Sequence, residues 1–246
     1  MKVTLVIYGL GGGGAERVMS ILANYWVNQG WDLTLIMLVD PTQPSFYPLD
    51  PRIKLKSLGI AENSTSLLAA IGNTVRRVTI LRREIIADRP DVVISFMNSV
   101  NVYNILACWK LNIPTIVSEH TYPGATDANK IWQLLMKWSY RYADLVTVLT
   151  QNAVPFYPPA QGYRTIVMPN PVTTPAIVVV TEKLLPTPSL IALGRLDPRK
   201  GFDLLLRAFH QIYHRYPDWQ LTILGEGSIR SELEDLRSQL QLTDRV

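Results

Sequence analysis

Short apolar runs alternate with longer stretches of helical periodicity along the first two thirds of the chain. The apolar runs predict buried strands at residues 3–8, 33–39, 92–95, 115–118 and 145–149. Apolar positions at helical spacing predict helices at residues 15–28, 67–88, 100–111 and 128–143. Because parallel neighbours need a helical crossover, this order predicts strand–helix–strand units on a parallel sheet. Residues 40–66 hold four prolines and are predicted to be irregular.

The pattern changes near residue 167 and then begins again. Residues 171–188 contain several prolines and no helical period, which predicts a linker. Beyond it, strands are predicted at residues 190–193 and 220–224, and helices at 202–216 and 228–240. The sequence thus predicts an α/β protein with one domain at residues 1–170 and a second at 189–246. The second segment is too short to cover both faces of a parallel sheet, so we expect a chain truncated within that domain.

Composition narrows the class of protein. With 48% hydrophobic and 18% charged residues, the chain can form a packed core. The single cysteine, Cys108, excludes an intramolecular disulfide framework and a cysteine-based zinc site, and fits a reducing compartment. The net charge is +4 and no run of five basic residues occurs, which argues against a nucleic-acid partner. Since no stretch indicates a signal peptide or a bilayer span, we expect a cytoplasmic protein.

A glycine-rich loop follows the first predicted strand and opens the first predicted helix. Glycine lets a ligand approach the backbone closely, and a helix N-terminus offers free N–H groups to a phosphate. Gly9, Gly11 and Gly14 also satisfy the G-x-G-x-x-G pattern, and Asp40 ends the second strand where a ribose-binding acid would lie. An NAD(P)-dependent oxidoreductase therefore stays open, as does a tight turn without any ligand.

A second loop, with two cations, has the matching position in the second domain. Arg195 ends a predicted strand and Lys200 begins a predicted helix, so both side chains can reach the crevice at the carboxyl ends of the strands. An arginine fork and a lysine point charge together suit a diphosphate. The alternative is a solvated loop that only caps the helix. A dinucleotide oxidoreductase has no evident use for this second loop.

Seven short motifs in this order resemble family 4 retaining glycosyltransferases, which have the GT-B fold. They are Gly-Gly-Ala-Glu-Arg at residues 13–17, Ser-Glu-His at 118–120, Ala-Asp at 143–144, Pro-Asn-Pro-Val at 169–172, Gly-Arg at 194–195, Lys-Gly-Phe-Asp-Leu-Leu at 200–205 and Leu-Gly-Glu-Gly at 224–227. The nearest branch builds exopolysaccharide, O-antigen and lipid-linked glycans. The resemblance implies two Rossmann-like domains that face each other across a cleft, with the acceptor mainly on the first and a nucleoside-diphosphate sugar mainly on the second.

The resemblance also implies roles for individual residues. Arg195 and Lys200 match the pair that neutralises the departing diphosphate, and His120 matches a histidine that lines the acceptor side. The remaining donor or phosphate positions are Gly12, Gly13, Gly14, Asn170, Gly194, Gly225 and Gly227, and the remaining acceptor-side positions are Glu16, Asn98 and Glu119. No Asp-x-Asp occurs, so we expect neither a metal nor a cofactor, with the nucleotide sugar as co-substrate.

Two departures from the family pattern qualify the expected activity. Pro171 replaces the glycine that is commonest at the interdomain crossing. The family's donor-sugar element, an acid followed seven residues later by glutamate, lies further along the second domain than this chain reaches. Glu226 and Glu234 have a comparable spacing but follow the wrong strand. A non-catalytic binding fragment therefore remains an alternative.

Weaker signals concern metals and membranes. His210 and His214 share one helix face, but without a third ligand they are more typical of surface histidines. The helix at 67–88 carries Arg76 and Arg83 on one face with Ile80 between them, which predicts a weak contact with an anionic membrane. The helix at 128–143 carries aromatic residues among cations, and core packing is expected for the aromatic ones: Trp132, Trp138 and Tyr142.

The sequence predicts a glycosyltransferase that moves a sugar from a nucleoside-diphosphate sugar to a glycan or lipid-linked acceptor with retention of configuration. We expect it in the cytoplasm, in part on the inner face of the cell membrane.

Overall fold

The computed structural model describes residues 1–40, 42, 44–61, 67–123, 130–172 and 188–246. The chain divides into two compact units, Met1–Thr173 and Thr174–Val246. Most of the predicted linker, residues 173–187, lies outside the described residues.

Within the described residues, the first unit is a parallel sheet of seven strands with helices on both faces. Its elements in chain order are β1 (Lys2–Ile7), α1 (Gly14–Asn28), β2 (Asp32–Met37), β3 (Lys54–Ser57), α2 (Leu67–Asp88), β4 (Val92–Phe96), α3 (Asn98–Cys108), β5 (Thr115–Glu119), α4 (Lys130–Ser139), β6 (Leu145–Val148) and β7 (Thr165–Val167). The strand order is β3-β2-β1-β4-β5-β6-β7, and β1 pairs with β2 on one side and β4 on the other.

Alternate residues of the central strands supply two separate cores. From β1, Leu5 and Ile7 pack on α1 together with residues of β2, whereas Val6 faces the opposite way and packs among residues of α2 and α3. The inner strands are apolar almost throughout because both of their faces are covered. A third core lies among α3, α4, β5 and β6.

Two strands in the first unit depart from the predictions. Residues 54–57 were predicted to be irregular, and β7 was not predicted at all. Both strands lie at the edges of the sheet, where short and polar strands are common. The helix predicted at residues 128–143 ends at Ser139 and continues as a 3-10 turn at Tyr140–Tyr142.

The second unit repeats the strand–helix order on a smaller scale. Its elements are β8 (Ser189–Leu193), α5 (Phe202–Ile212), β9 (Gln220–Leu224) and α6 (Arg230–Gln239). β8 and β9 are parallel, as predicted, and α5 is shorter than predicted because a 3-10 turn at Tyr213–Arg215 replaces its end. A core around Phe202, Leu206 and Leu221 holds the sheet to the helices.

Candidate active-site residues

The glycine loop lies between β1 and the N-terminus of α1. The chain at residues 46–47 holds it in place: the backbone N–H of Phe46 donates to the carbonyl of Leu10 at 2.8 Å, and the Tyr47 hydroxyl donates to the carbonyl of Gly13 at 3.2 Å. α1 begins at Gly14 without a side-chain cap at Gly13, so its first N–H groups have no capping side chain.

The fold itself does not require every glycine in this loop. A Cβ atom added at Gly11 or Gly14 would meet no atom within 4 Å, and neither residue has a left-handed φ. Gly13 has φ −89°, which is an ordinary extended conformation, so the backbone at this position does not need a positive φ. At Gly13 a Cβ would collide with the Glu16 carboxylate, which folds back over the loop. Glycine at positions 11 and 14 is therefore explained by neither backbone strain nor internal packing.

The turn from β4 into α3 contains a strained residue. Met97 caps α3 with φ 79° and ψ 140°, a region that residues other than glycine rarely adopt. Asn98 follows as the first helical residue, half-buried, with its amide 4.0 Å from the Met136 sulfur. This turn aims the start of α3 at the carboxyl edge of the sheet.

His120 follows β5 at the same edge. Its ring stacks on Phe96 with a centroid distance of 4.2 Å, and its Nε2 lies 3.1 Å from the Ser118 hydroxyl. The Thr147 hydroxyl also hydrogen-bonds to the Ser118 hydroxyl, at 2.7 Å. Burial lowers the pKa of His120 to about 4, so the ring is neutral at pH 7. Nδ1 is buried with no hydrogen-bond partner in the described residues.

Glu119 lies inside the protein rather than on its surface. The side chain is 2% exposed, and Oε1 accepts hydrogen bonds from the Tyr140 hydroxyl and, at 3.1 Å, from the Asn101 amide. Burial raises the pKa of Glu119 to about 7, and the two hydrogen bonds oppose this with a smaller effect. The network supports the end of β5 next to His120. Its acceptor-side role stays a prediction.

Sequence reasoning missed the partners in this network. Asn101 donates to the Ser118 carbonyl as well as to Glu119, and its own carbonyl oxygen accepts from Ser95. A signal was present, because Asn101 and Asn104 lie three residues apart in residues 100–108, which are otherwise largely apolar. Polar residues on a buried helix face usually have hydrogen-bond partners inside the protein.

The strand order brings these segments to one edge of the first unit. β1, β4 and β5 are neighbours, so the glycine loop, Asn98 and His120 all follow the carboxyl ends of adjacent strands. All these strands are parallel, but the order in which successive strands are added to the sheet reverses between β1 and β4, and such a switch point is where ligands bind in open α/β sheets. Asn170 lies beyond β7 and is exposed, apart from this group.

The cation-bearing loop of the second unit follows β8. Asp197 caps a 3-10 turn at Pro198–Lys200 by accepting from the Arg199 backbone N–H at 3.0 Å, and it also pairs with the Arg199 guanidinium. These bonds hold the pKa of the Asp197 carboxyl well below its usual range. Arg195 and Lys200 are exposed, and no hydrogen bond or ion pair to either side chain is found in the described part of the chain.

The glycines of the second unit have packing roles. A Cβ at Gly225 would collide with the Gly194 carbonyl oxygen, and one at Gly227 with the Leu196 carbonyl oxygen. At Gly194 a Cβ would lie 3.4 Å from the Phe202 ring and 4.0 Å from the Lys200 Cδ atom. The two loops after β8 and β9 therefore pack backbone to backbone, and Lys200 lies beside Gly194. Nucleotide contact by these glycines remains a prediction.

The remaining candidate residues, two acids, a histidine pair and Asp40, have partners within the protein or, in the described part of the chain, no metal site around them. Arg230 forms ion pairs with both Glu226 and Glu234, which makes the two acids part of a surface charge cluster. His210 stacks on Tyr213, and among the described residues no group of three or more potential metal ligands converges. Asp40 accepts from the Thr42 N–H and hydroxyl at 2.9 and 2.7 Å, so it stabilises its own turn.

The membrane contact predicted for α2 stays a prediction, and only the apolar residue between its two arginines is placed differently from the expectation. Ile80 is half-buried and packs on the core instead of standing between two exposed arginines, although Arg76 and Arg83 are exposed as predicted. The exposed apolar residues of α2 are Ile71, Val75 and Ile86. Within the described residues, no helix combines the length and hydrophobicity needed to cross a bilayer.

The aromatic residues near α4 also divide differently from the prediction. Trp132 packs inside, edge-on to Tyr103 at 5.9 Å, as expected. Trp138 and Tyr142 were expected in the core but are 39% and 55% exposed. They lie on the helix face opposite the sheet and contact each other edge-on at the surface.

Comparison with known proteins assigns the family. The profile of Glycosyltransferase Family 4 matches residues 12–174, and that of Glycosyl transferases group 1 matches residues 178–246. The chain belongs to Glycosyltransferase Family 4. The oxidoreductase alternative finds no support in these comparisons.

Individual relatives agree with this assignment. The chain is 28% identical over 235 residues to the Campylobacter jejuni GalNAc-alpha-(1->4)-GalNAc-alpha-(1->3)-diNAcBac-PP-undecaprenol alpha-1,4-N-acetyl-D-galactosaminyltransferase, covering 95% of this chain and 64% of the relative. It is 26% identical over 250 residues to an uncharacterized glycosyltransferase of Haemophilus influenzae, covering 100% and 67%. The Mycolicibacterium smegmatis GDP-mannose-dependent alpha-(1-6)-phosphatidylinositol monomannoside mannosyltransferase is 39% identical over 59 residues, which is 24% of this chain and 15% of that protein. The chain thus spans about two thirds of the length of the Campylobacter and Haemophilus relatives.

Solved structures agree on the fold. Sucrose-phosphate synthase from Thermosynechococcus elongatus matches with a TM-score of 0.81 at 18% identity, covering 100% of this chain and 69% of that one. The Anabaena protein HepE in complex with UDP and glucose matches with a TM-score of 0.69 at 15% identity, covering 100% and 68%. The α/β architecture is that of GT-B glycosyltransferases, as predicted.

Proposed function

We propose that this protein transfers a sugar from a nucleoside-diphosphate sugar to a glycan or lipid-linked acceptor, with retention of anomeric configuration. Membership of Glycosyltransferase Family 4 supports the transfer. The neighbours in complex with UDP and UDP-glucose support a nucleotide-sugar donor. The relatives named for undecaprenol-linked and phosphatidylinositol-based acceptors support a lipid-linked acceptor.

The observation that carries the donor assignment is the pair of exposed cations after β8. Arg195 and Lys200 have no hydrogen-bond or ion-pair partner in the described residues, whereas Arg199, between them, is committed to Asp197. Asp197, the acid that interacts electrostatically with Arg195, is already paired with Arg199, so a diphosphate would supply further negative charge for both cations. Arginine suits it as a planar fork, and lysine as a point charge.

In the proposed chemistry, the main task of the enzyme is to stabilise the negative charge that develops on the leaving diphosphate. As the bond between the anomeric carbon and the diphosphate oxygen breaks, negative charge grows on the diphosphate and positive charge grows on the sugar ring. Fixed cations beside the diphosphate stabilise that transition state more than the ground state. The departing phosphate oxygen accepts the proton of the acceptor hydroxyl, and the new glycosidic bond forms on the same face of the sugar.

The first unit is the proposed acceptor side. Its glycine loop exposes backbone N–H groups at the start of α1, and His120 is a neutral ring whose orientation Ser118 and Phe96 fix. A lipid-linked acceptor implies work at a membrane surface. We therefore propose a cytoplasmic protein that contacts the inner face of the cell membrane.

A transfer assay tests this function. The 246-residue chain is incubated with UDP- and GDP-sugars and an undecaprenyl-diphosphate-linked glycan, and the product linkage is analysed by NMR. We expect a product with the anomeric configuration of the donor. Lys200→Ala should lower kcat/KM by about 10²–10³-fold, as removal of one transition-state stabilising group typically does.

Each result separates the alternatives. An inverted product would exclude retention, and equal kinetics for Lys200→Ala would exclude the donor-site assignment. Nucleotide binding without transfer would favour the binding-fragment alternative. Tight binding of NADH, detected by nicotinamide fluorescence, would favour the oxidoreductase.

A further inference from the structure

The outer face of α4 and its 3-10 extension carries only cationic, aromatic and aliphatic side chains. Its exposed residues follow helical spacing over more than three turns: Lys130, Leu134, Lys137, Trp138, Arg141 and Tyr142. Trp109 and Lys110, just after α3, adjoin this face because Trp109 stacks on Tyr142. We call these eight residues the aromatic–basic surface.

Large apolar groups are exposed at this surface. Leu134 is 68% exposed, and Trp109 is 38% exposed. Trp109, Trp138 and Tyr142 form a triangle with centroid distances of 5.0–5.3 Å. Three aromatic rings clustered at a surface cost solvation free energy unless another apolar phase covers them.

Hydrogen bonds and core packing hold the backbone beneath this surface in place. The Arg82 guanidinium of α2 donates to the backbone carbonyls of Ala107 and Trp109 at 2.7 and 2.8 Å, which fixes the chain at Trp109. On the inner side of α4, Met136 and Tyr140 are buried in the core of the first unit. The aromatic–basic surface is therefore a preformed feature of the fold.

The charge of the surface is of one sign. Residues 130–142 contain no Asp or Glu, and no ion pair to Lys110, Lys130, Lys137 or Arg141 occurs among the described residues. Two acids flank this segment in the sequence: Asp127 lies outside the described residues, and Asp144 accepts from the Thr115 backbone N–H at 2.8 Å and lines a pocket with Trp109 and Lys110. An anionic partner would therefore meet four exposed cations that form no ion pair within the described residues.

We infer that the aromatic–basic surface rests on an anionic lipid bilayer. Trp and Tyr rings sit at the headgroup level of membranes, and Lys and Arg reach from there to lipid phosphates. This combination fits a lipid interface better than a protein partner, because the apolar groups and the cations are interleaved along one helix face. The inference deepens the proposed function, since it names the surface through which an enzyme with a lipid-linked acceptor would meet the membrane.

Vesicle flotation tests the inference without donor or acceptor, so its failure is distinct from a failure of sugar transfer. The protein is mixed with phosphatidylcholine vesicles that contain or lack phosphatidylglycerol, at low and at raised salt. We expect flotation with the anionic vesicles only, and release as salt rises. Lys137→Glu with Arg141→Glu should lower the partition constant at least about 25-fold, because each lost charge accounts for about a five-fold change.

Two matched double variants serve as controls. Arg207→Glu with Arg215→Glu reverses two exposed charges of the second unit and should float like the parent. Arg76→Glu with Arg83→Glu reverses the exposed charges of α2 and should also retain most of the binding. Loss of flotation in the α2 variant but not in the α4 variant would overturn the inference, as would an equal loss in all three.

A second readout is independent of charge reversal. Brominated lipids should quench part of the tryptophan fluorescence of the parent, and Trp138→Phe should reduce the quenched fraction. The milder pair Lys137→Gln with Arg141→Gln, with its fold checked by circular dichroism, should weaken flotation in the same direction. Unchanged quenching and unchanged flotation in these variants would show that α4 does not face the membrane.

Discussion

Alanine at Gly14 should separate ligand binding from stability. Gly14 is the first residue of α1, its φ lies outside the left-handed region, and an added Cβ would meet no atom within 4 Å. Replacing glycine where the native backbone suits alanine stabilises a protein by about 0.4–1 kcal/mol, chiefly by restricting the unfolded chain. The melting temperature should therefore rise by about 1–4 °C.

The same methyl group should weaken ligand binding. If a phosphate or acceptor group approaches the N–H groups at the start of α1, the methyl keeps it away, and one lost hydrogen bond to a charged group costs about 1.5–3 kcal/mol. Affinity for nucleotide sugar or lipid-linked acceptor should fall at least about ten-fold. Thermal unfolding and equilibrium titration of the same samples measure both effects.

Gly225→Ala is the matched contrast, because its Cβ would collide with the Gly194 carbonyl oxygen. The second unit should lose about 1–3 kcal/mol of stability, the usual cost of overpacking. The reasoning is refuted if Gly14→Ala leaves both affinities unchanged, or if it destabilises the first unit as Gly225→Ala does the second.

Three further variants test the buried network and the surface charges. Between pH 4.5 and 6.5 the raised pKa of Glu119 makes the free energy of unfolding fall by about 1.4 kcal/mol for each unit by which the pH rises. The lowered pKa of His120 makes the free energy of unfolding rise by the same amount. The two contributions therefore cancel in the parent protein. In Glu119→Gln only the His120 contribution remains, so urea unfolding should show stability falling as pH falls through this window, and a flat profile would contradict the lowered pKa of His120. Tyr140→Phe should cost about 1–3 kcal/mol and raise the Glu119 pKa further, because a buried carboxylate loses a donor; an NMR titration that shows no rise would exclude the hydrogen bond. Glu234→Gln should leave transfer kinetics unchanged, since Glu234 pairs with Arg230 at the surface, and a large loss of kcat would restore it as a donor-sugar residue.

Local pattern was sufficient for the helices and the inner strands. α2 ends at the residue predicted, because its apolar spacing is regular and Pro90 follows closely. The edge strand β3 was missed because the Lys-Leu-Lys-Ser sequence gives no buried run, and only pairing with β2 defines it.

Long-range contacts account for most of what the sequence could not predict. Glu119 reads as a surface acid after a strand, and only the approach of Tyr140 and Asn101 makes it a buried one. Ile80 was expected at the surface and packs on the core, whereas Trp138 was expected in the core and is exposed. Neighbouring helices decide which face of a helix is covered, and periodicity does not reveal them. The positions of Arg195 and Lys200 relative to a strand end were predictable, since they depend only on local order.

Titration calorimetry of UDP against the 246-residue chain tests the central claim most directly, with the exposed Arg207 of α5 as a matched control cation. Wild type and Arg207→Ala should bind UDP with equal affinity. Arg195→Ala and Lys200→Ala should each weaken binding about ten-fold or more, because each removes a charge-assisted hydrogen bond to the diphosphate. Equal affinity in all four proteins would contradict the assignment of this loop to the donor.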